Sequence, residues 1–355
     1  MTRLLPHLPA LRGAEVLGAN RRRAFIGAYG FEERSLGWCK TQKKAISAGY
    51  VFKYLHPKGP NLVEQLKTAL RTIGAEKVTN IRYDILCPQP LEDELPQKLV
   101  LDGFDEVIVD ISSMTKLAIL LVLSKLDKFS GTVRVVYSEA QDYCPSKAEY
   151  DPVQREMAAT ARFPSRGAEQ IVRLRFLNSI RMQGQPVTLV AFASFNEKLV
   201  SHMLGFLSPH RLVLMNGRPP RKDYAWRERA THDIHKRLIN EYAQDNPVNS
   251  DGLLKRSAST LDYRETVKEL EQIYEEYGLY ERIVCAATGS KMQTVGLFFS
   301  KVRHRDIQIE YPTPDSYFVK DMTHGVRRVH EIVFEEFGTF IARLPQIGLA
   351  QAIET

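Results

Sequence analysis

Residues Glu106 to Lys116 read EVIVDISSMTK, and residues Glu281 to Lys291 read ERIVCAATGSK. Laid side by side, Ile108 meets Ile283, Val109 meets Val284, Ser113 meets Thr288, Thr115 meets Ser290 and Lys116 meets Lys291. The offset is 175 residues (291 minus 116). Each stretch is an apolar run, then small hydroxyl-bearing residues, then a Lys that opens an apolar segment, LAILLVLSKL or MQTVGLFFSKV. That is the pattern of a strand, a turn and a buried helix. Another strand-like run follows each time, TVRVVYSEA or DIQIEYPTP, with Tyr137 opposite Tyr311.

A second pair lies upstream. Ala24 to Leu36 reads AFIGAYGFEERSL, and Thr188 to Val200 reads TLVAFASFNEKLV, at an offset of 164 (195 minus 31). Loops absorb the difference of about a dozen residues between the two offsets. The same order of strand, motif, helix and strand occurs twice, so the chain reads as an internal duplication of one α/β unit. The first copy carries expected strands at 24–29, 49–55, 77–84, 105–111 and 132–138. Its expected helices fill 31–47, 60–73, 91–100 and 114–129. The second carries strands at 187–193, 210–215, 282–287 and 306–311, with helices at 196–206, 224–243, 262–277 and 290–302. Alternation of strands and helices implies right-handed crossovers and mostly parallel sheets. The expected fold is therefore α/β, two tandem Rossmann-like units. The first spans 1–164 with an N-terminal tail. The second spans 165–355 and ends in a helix around 326–340. The stretch 141–185 links them without an assignment.

Composition narrows the function. The chain has 355 residues, which at roughly 100–200 residues per domain suits two domains. Hydrophobic residues make up 44% and charged residues 26%, which excludes a disordered or low-complexity chain. The longest apolar run, Leu117 to Leu123, is far short of the roughly 18–20 residues of a membrane span. The N-terminus has no apolar segment with a small-residue cleavage site, so no secretion is expected. Four scattered cysteines without a C-x-x-C pair argue against a zinc ribbon or a disulfide scaffold and fit the cytoplasm. A net charge of +7 favours anionic partners.

In open α/β sheets, ligands bind at the carboxyl ends of the strands beside helix N-termini, where free N–H groups attract anions. Both motifs fall there. Thr288, Gly289, Ser290 and Lys291 combine a glycine, two hydroxyls and a cation. Ser112, Ser113, Thr115 and Lys116 have the hydroxyls and the cation without the glycine. Ser and Thr are also common helix caps, so the repetition is what favours a phosphate cradle. Gly27 and Tyr29 end the first strand and Arg34 follows it. Asp110, opposite Cys285, suits a ribose hydroxyl or a metal, and if the site is catalytic the first copy holds the acid. The stretch RPPRKDYAWRER, residues 218–229, offers Arg221 and Trp226 to a phosphate and a base, with a basic loop leading into an amphipathic helix and Trp226 packed inward as the alternative. His232 and His235 lack a third metal ligand and read as surface histidines. No Walker A motif and no G-x-G-x-x-G fingerprint occurs.

The strand followed by T-G-S-K at 288–291 and an apolar helix resembles the CARF domains, Rossmann-like sensors of cyclic oligonucleotides in prokaryotic antiviral defence. Two fused copies resemble the SAVED domains of the same systems. In CARF domains a T-G-G-T-K type turn contacts the ligand phosphates. Here the second turn has one glycine fewer, and the first keeps only the hydroxyls and Lys. The resemblance implies a nucleotide-type ligand held between the two halves, no cofactor, and an effector protein partner, because no nuclease-like segment is evident. Two alternatives stay open. One is a phosphodiesterase acting on such a ligand, and the other is a nucleic-acid-binding subunit. Homo-oligomerisation is left open.

Overall fold

Val107, Ile108 and Val109 are fully buried, as is every residue of Glu106–Asp110. A strand covered on both faces has no polar side to alternate with, and so reads as a continuous apolar run. In the computed structural model, which describes residues 4–55, 62–155, 163–245, 253–318 and 322–347, this strand lies in the middle of a seven-stranded sheet. Its members are β1 (Arg12–Gly13), β2 (Arg23–Ala28), β3 (Ala48–Tyr54), β4 (Lys77–Tyr83), β5 (Glu106–Asp110), β6 (Thr132–Glu139) and β17 (Arg328–Phe334). The order is β1-β17-β6-β5-β2-β3-β4. The five strands from β6 to β4 are parallel, and β17 and β1 extend the β6 edge antiparallel.

A second sheet holds β9 (Gln170–Val172), β10 (Val187–Phe192), β11 (Arg211–Arg218), β12 (Leu253–Ser259), β13 (Arg282–Ala286) and β14 (Gln308–Thr313) in the order β12-β11-β10-β13-β14-β9. Only β9 is antiparallel. Counting parallel strands along the chain, both sheets have the doubly wound order 3-2-1-4-5. The fold is α/β. The short strands β7 (Asp142–Tyr143) with β16 (Thr323–His324), and β8 (Ser165–Arg166) with β15 (Ser316–Tyr317), form two small ribbons.

The chain divides into one unit of Pro9–Pro164 with Phe318–Arg343 and another of Met1–Leu8, Ser165–Tyr317 and Leu344–Thr355. The first unit, holding the seven-stranded sheet, therefore takes back a late segment. That segment differs from the sequence reading. The helix expected at 326–340 is mostly β17, and only Phe337–Arg343 is helical. Val329, Ile332 and Val333 are β-branched, and pairing with β6 decides their conformation. The helix expected over 31–47 shrinks to a 3-10 turn at Glu33–Leu36 and a short α1 (Gly37–Thr41). Strand β12 was not expected at all. It is an edge strand whose Lys255 and Arg256 break the apolar pattern, as charged residues do on sheet edges. Residues 60–61 of the expected helix 60–73 lie outside the described residues, and the rest is α2 (Val63–Thr72), which buries Leu66 and Leu70 one turn apart.

The helices that follow the two motifs are α4 (Lys116–Lys125) and α9 (Lys291–Arg303), buried from Leu117 to Ser124 and from Met292 to Lys301. Helix α7 (Trp226–Asp245) buries Thr231, His235, Leu238, Ile239 and Tyr242, one face at helical spacing. His235 is thus a core residue rather than a surface one. Its Nδ1 lies 2.8 Å from the Thr231 carbonyl, and burial lowers its pKa despite that contact.

Charges tie the amino ends of the strands together. Glu106, at the start of β5, accepts from Arg23 Nε at 2.6 Å and from Arg134 Nε at 2.8 Å. Arg134 also pairs with Glu331 of β17 at 2.6 Å, and Glu331 with Arg12 of β1 at 2.9 Å. This chain of ion pairs runs across four neighbouring strands and onto β2. At the matching place in the second unit, Glu281 pairs with Arg211 at 2.9 Å and accepts from the Thr188 hydroxyl. Removing one partner from a buried pair typically costs about 3–5 kcal/mol, because the other charge stays buried. Glu106→Gln should therefore destabilise the first unit by that order in urea unfolding. A variant within about 0.5 kcal/mol of the parent, the range of ordinary surface substitutions, would contradict this role.

Candidate functional site

In a 3-2-1-4-5 sheet, the first and fourth strands are neighbours whose crossovers leave in opposite directions. Their carboxyl ends form the topological switch point where ligands of open α/β sheets bind. In the first unit these ends are Ala28 to Gly30 after β2 and Asp110 to Lys116 after β5. In the second they are Phe192 to Ser194 after β10 and Ala287 to Lys291 after β13. Both sequence motifs fall at switch points. The two lysines occupy the same topological place, each as the first residue of the helix after the fourth parallel strand.

The hydroxyls build the turns. Ser113 Oγ donates to the Ala28 carbonyl at 2.6 Å, clasping the end of β5 to the end of β2. Thr288 Oγ1 donates to the Phe192 carbonyl at 2.7 Å and accepts from the Phe192 N–H at 3.0 Å, the same clasp between β13 and β10. Thr115 caps α4 by accepting from Ala118 N at 3.2 Å, and its Oγ1 lies 3.3 Å from Tyr83 Oη. Ser290 caps α9 by accepting from Gln293 N at 3.1 Å, while Gln293 Oε1 accepts from Ser290 N in return, a capping box. Ser290 Oγ also donates to the Thr260 carbonyl at 2.8 Å. Ser112 Oγ accepts from Ser138 N at 2.8 Å, and buried Asp110 accepts from Ser112 N at 2.9 Å.

Glycines mark where the strand ends press together. A Cβ on Gly289 would come within 2.5 Å of Gln293 Oε1 and 2.9 Å of Phe192 Cβ, so packing alone requires this glycine. A Cβ on Gly30 would lie 2.7 Å from Ser113 Cβ. Gly27 lies inside β2 under the Phe25 ring. Tyr29 is buried, donates to Asn80 Oδ1 at 2.6 Å, and is pushed up to about 12 by burial and then by Glu64. Arg34 is buried, its Nη2 donating to both carboxylate oxygens of Glu32 at 2.8 and 2.9 Å and its Nη1 to Tyr137 Oη at 3.2 Å. Glu32 also accepts from Thr323. Cys285 is buried in β13, its thiol pushed up to about 12 by burial.

Lys116 stands apart. It is half-buried, and among the described residues its ammonium makes no hydrogen bond or ion pair. Desolvation alone brings it down to about 8. Lys301, on α9, shows how this protein satisfies a buried lysine for structural ends. Its Nζ donates to the carbonyls of Asn178, Arg305 and Ile307 at 3.2, 2.7 and 2.7 Å. Lys116 has no such ring of carbonyls. Tyr54 at the end of β3, a residue the sequence did not single out, frames the same turn. It accepts from Thr115 N and donates to the Ser113 carbonyl, both at 3.0 Å. Lys291 is half-buried at the matching position of the second unit.

The basic stretch rims the second sheet. Trp226 is half-buried and meets the Phe195 ring edge-on at 6.2 Å. Arg227 lies over Phe195 at 4.4 Å, and Arg221 lies over Tyr224 at 4.4 Å and pairs with Asp223. Phe195 follows β10 and the others follow β11, so this Arg–aromatic cluster sits at the carboxyl end of the sheet, as the Thr288–Lys291 turn does.

No family model matches the chain, and no curated protein matches it. Among solved structures, Can2 from Sulfobacillus thermosulfidooxidans in complex with cyclic tetra-adenylate matches with a TM-score of 0.27 at 16% identity, over 39% of this chain and 37% of that one. A type III CRISPR defence DNA nuclease activated by cyclic oligoadenylate matches with a TM-score of 0.47 at 10% identity, over 86% of this chain and 68% of that one. The cytoplasmic domain of a prokaryotic cation chloride cotransporter matches with a TM-score of 0.22 at 7% identity, over 84% and 99%. The doubly wound order of both sheets stands on their strand pairing alone. No helix among the described residues is long and apolar enough to cross a membrane.

Two outcomes are expected. Thr288→Val keeps the side-chain shape but strands the buried N–H and C=O of Phe192, and should cost about 1–3 kcal/mol in chemical denaturation; unchanged unfolding would refute the clasp. Lys116 carries a pKa of about 8 in the folded protein against its ordinary 10.5. Between those values the unfolded chain binds a proton that the folded one does not, so stability climbs with pH, and below 8 the penalty is present in full. Lys116→Met should thus raise the melting temperature at pH 7, with the advantage shrinking as pH rises from 8 toward 10.5. Equal melting of variant and parent at pH 7 would count against a desolvated ammonium.

Proposed function

We propose that this chain binds a nucleotide-type anion, of the cyclic-oligonucleotide class, at its switch points, as the sensing component of a prokaryotic antiviral defence or signalling system. The observation that carries this reading is Lys116. A desolvated ammonium without a partner is costly, and an anion that pairs with it recovers that cost. It sits where doubly wound sheets bind ligands, at a helix N-terminus whose dipole favours negative charge. The T-G-S-K turn at 288–291, with its resemblance to CARF domains, supports a phosphate-bearing ligand. The Arg–aromatic rim around Trp226 supplies a surface on which a base stacks. An effector partner would supply the output.

Binding rather than cleavage is favoured by the hydroxyls. Ser113, Thr288 and Ser290 each donate to a backbone carbonyl, so they hold the turns instead of activating a nucleophile. Calorimetric titration with cyclic and linear oligonucleotides, cyclic tetra-adenylate among them, tests the reading. Losing one charge-assisted contact costs about 1.5–3 kcal/mol, or roughly ten- to hundred-fold in affinity. Lys116→Ala should weaken binding by that order while melting no lower than the parent. Binding equal to that of the parent would overturn the reading. Turnover of the ligand would replace it with a phosphodiesterase, and a steep salt dependence with ordinary single strands would replace it with nucleic-acid binding.

The Trp226 emission should also shift on titration with the ligand that binds, because a base stacked on the rim changes the indole's surroundings. A tightly bound ligand that leaves the emission untouched would remove the rim from the site.

A further inference from the structure

The second unit holds a cavity of about 240 Å³ away from its switch point, between the first turns of α7 and the edge of the sheet. Leu214 and Asn216 of β11 lie in register with Lys255 and Ser257 of β12, so these four side chains share one face. Glu228 and His232, one turn apart on α7, complete the lining on that face. Arg256, between Lys255 and Ser257 on β12, also lines the cavity, with its guanidinium held by Glu276 at 2.9 Å.

The polar groups here are only partly engaged. Ser257 Oγ donates to Glu228 Oε1 at 3.0 Å. Asn216 donates to the Glu228 carbonyl at 2.8 Å and accepts from Thr231 Oγ1 at 2.7 Å, which locks the first turns of α7 onto β11. Among the described residues, Glu228 Oε2 accepts no hydrogen bond and the Lys255 ammonium has no partner. One open carboxylate oxygen and one exposed, unpartnered ammonium therefore border the same small space, beside the His232 imidazole, whose Nδ1 lies 3.5 Å from Asp233 Oδ1.

We propose that this cavity binds a small anionic polyol, a phosphorylated sugar in chemical class. Glu228 would accept from the hydroxyls of the polyol, as an ionised carboxylate is acceptor-only, and Lys255 would pair with its anionic group. The volume lies below the roughly 300–1,000 Å³ of pockets for drug-sized ligands, a size that suits one sugar phosphate. The cavity borders the Arg–aromatic rim, since Glu228 and Trp226 share the first turn of α7, but it does not involve Lys116 or the Thr288–Lys291 turn.

The test titrates the full chain with ribose 5-phosphate, ribose and inorganic phosphate, followed by ligand-observed NMR and calorimetry. Ribose 5-phosphate should bind more tightly than either fragment. Glu228→Gln should lose about tenfold for ribose 5-phosphate and for ribose, but not for phosphate. Lys255→Met, an exposed substitution that leaves the core intact, should lose about as much for ribose 5-phosphate and for phosphate, but not for ribose. Lys116→Ala should change none of these, so failure here and failure at the switch point are separable. Absence of binding, phosphate binding as tightly as ribose 5-phosphate, or both cavity variants matching the parent would overturn the proposal.

Discussion

The clasp between the ends of the first and fourth parallel strands is the constraint on which both units depend. In a doubly wound sheet the crossovers diverge at that point, so the strand ends there lose the backbone pairing that holds the rest of the sheet. Ser113 and Thr288 restore it by donating to the carbonyls of Ala28 and Phe192. The clasp brings the two chain segments so close that Gly30 and Gly289 have no room for a side chain. It also fixes where α4 and α9 begin, and with them the positions of Lys116 and Lys291.

The opposite ends of the strands are held by charge. Glu106 and Glu281 stand at the start of the fourth parallel strand of their units; Glu106 pairs with arginines of both neighbouring strands, and Glu281 reaches across β10 to Arg211 of β11. In the first unit the network extends through Glu331, which gives β17 a reason to lie beside β6. Burial of these acids is tolerable only because each is fully paired. That requirement ties a segment beyond residue 318 to a sheet made mostly of residues before 140.

Much of this was legible because buried parallel strands announce themselves. The runs at Val107–Val109 and Ile283–Cys285 are apolar on both faces, and the hydroxyl turns after them recur in register. What escaped was decided by partners distant in sequence. Residues 328–334 carry Arg328, His330 and Glu331 among their apolar positions, which mimics an amphipathic helix until Arg134 and Arg12 are seen to neutralise Glu331. Strand β12 hides its nature behind Lys255 and Arg256, since an edge strand needs little apolar surface. At the site, the positions of the hydroxyl residues could be read but not their engagements. The partners that occupy them, Ala28, Phe192 and Thr260, offer backbone carbonyls, and a backbone carbonyl leaves no trace in a sequence.

The same geometry removes the ranking of the two turns that the sequence suggests. By sequence the glycine at 289 makes the second turn the better cradle and the first a reduced copy. Gly289, however, answers to the Phe192 Cβ and the Gln293 amide that crowd it, a packing demand that Met114, buried at the equivalent place, does not face. Gln293 then completes a capping box with Ser290, so the second turn satisfies its first-turn donors from within. Ala118 stands where Gln293 stands in the second unit and has no group to return to Thr115. Both turns nevertheless satisfy the N–H of the capping residue, the second from its own helix and the first from Tyr54 of β3, and what sets the first turn apart is the half-buried Lys116 beside it, which has no protein partner among the described residues. Lacking the glycine is therefore no mark of decay, because the first turn meets the same backbone demands with a tyrosine from a neighbouring strand.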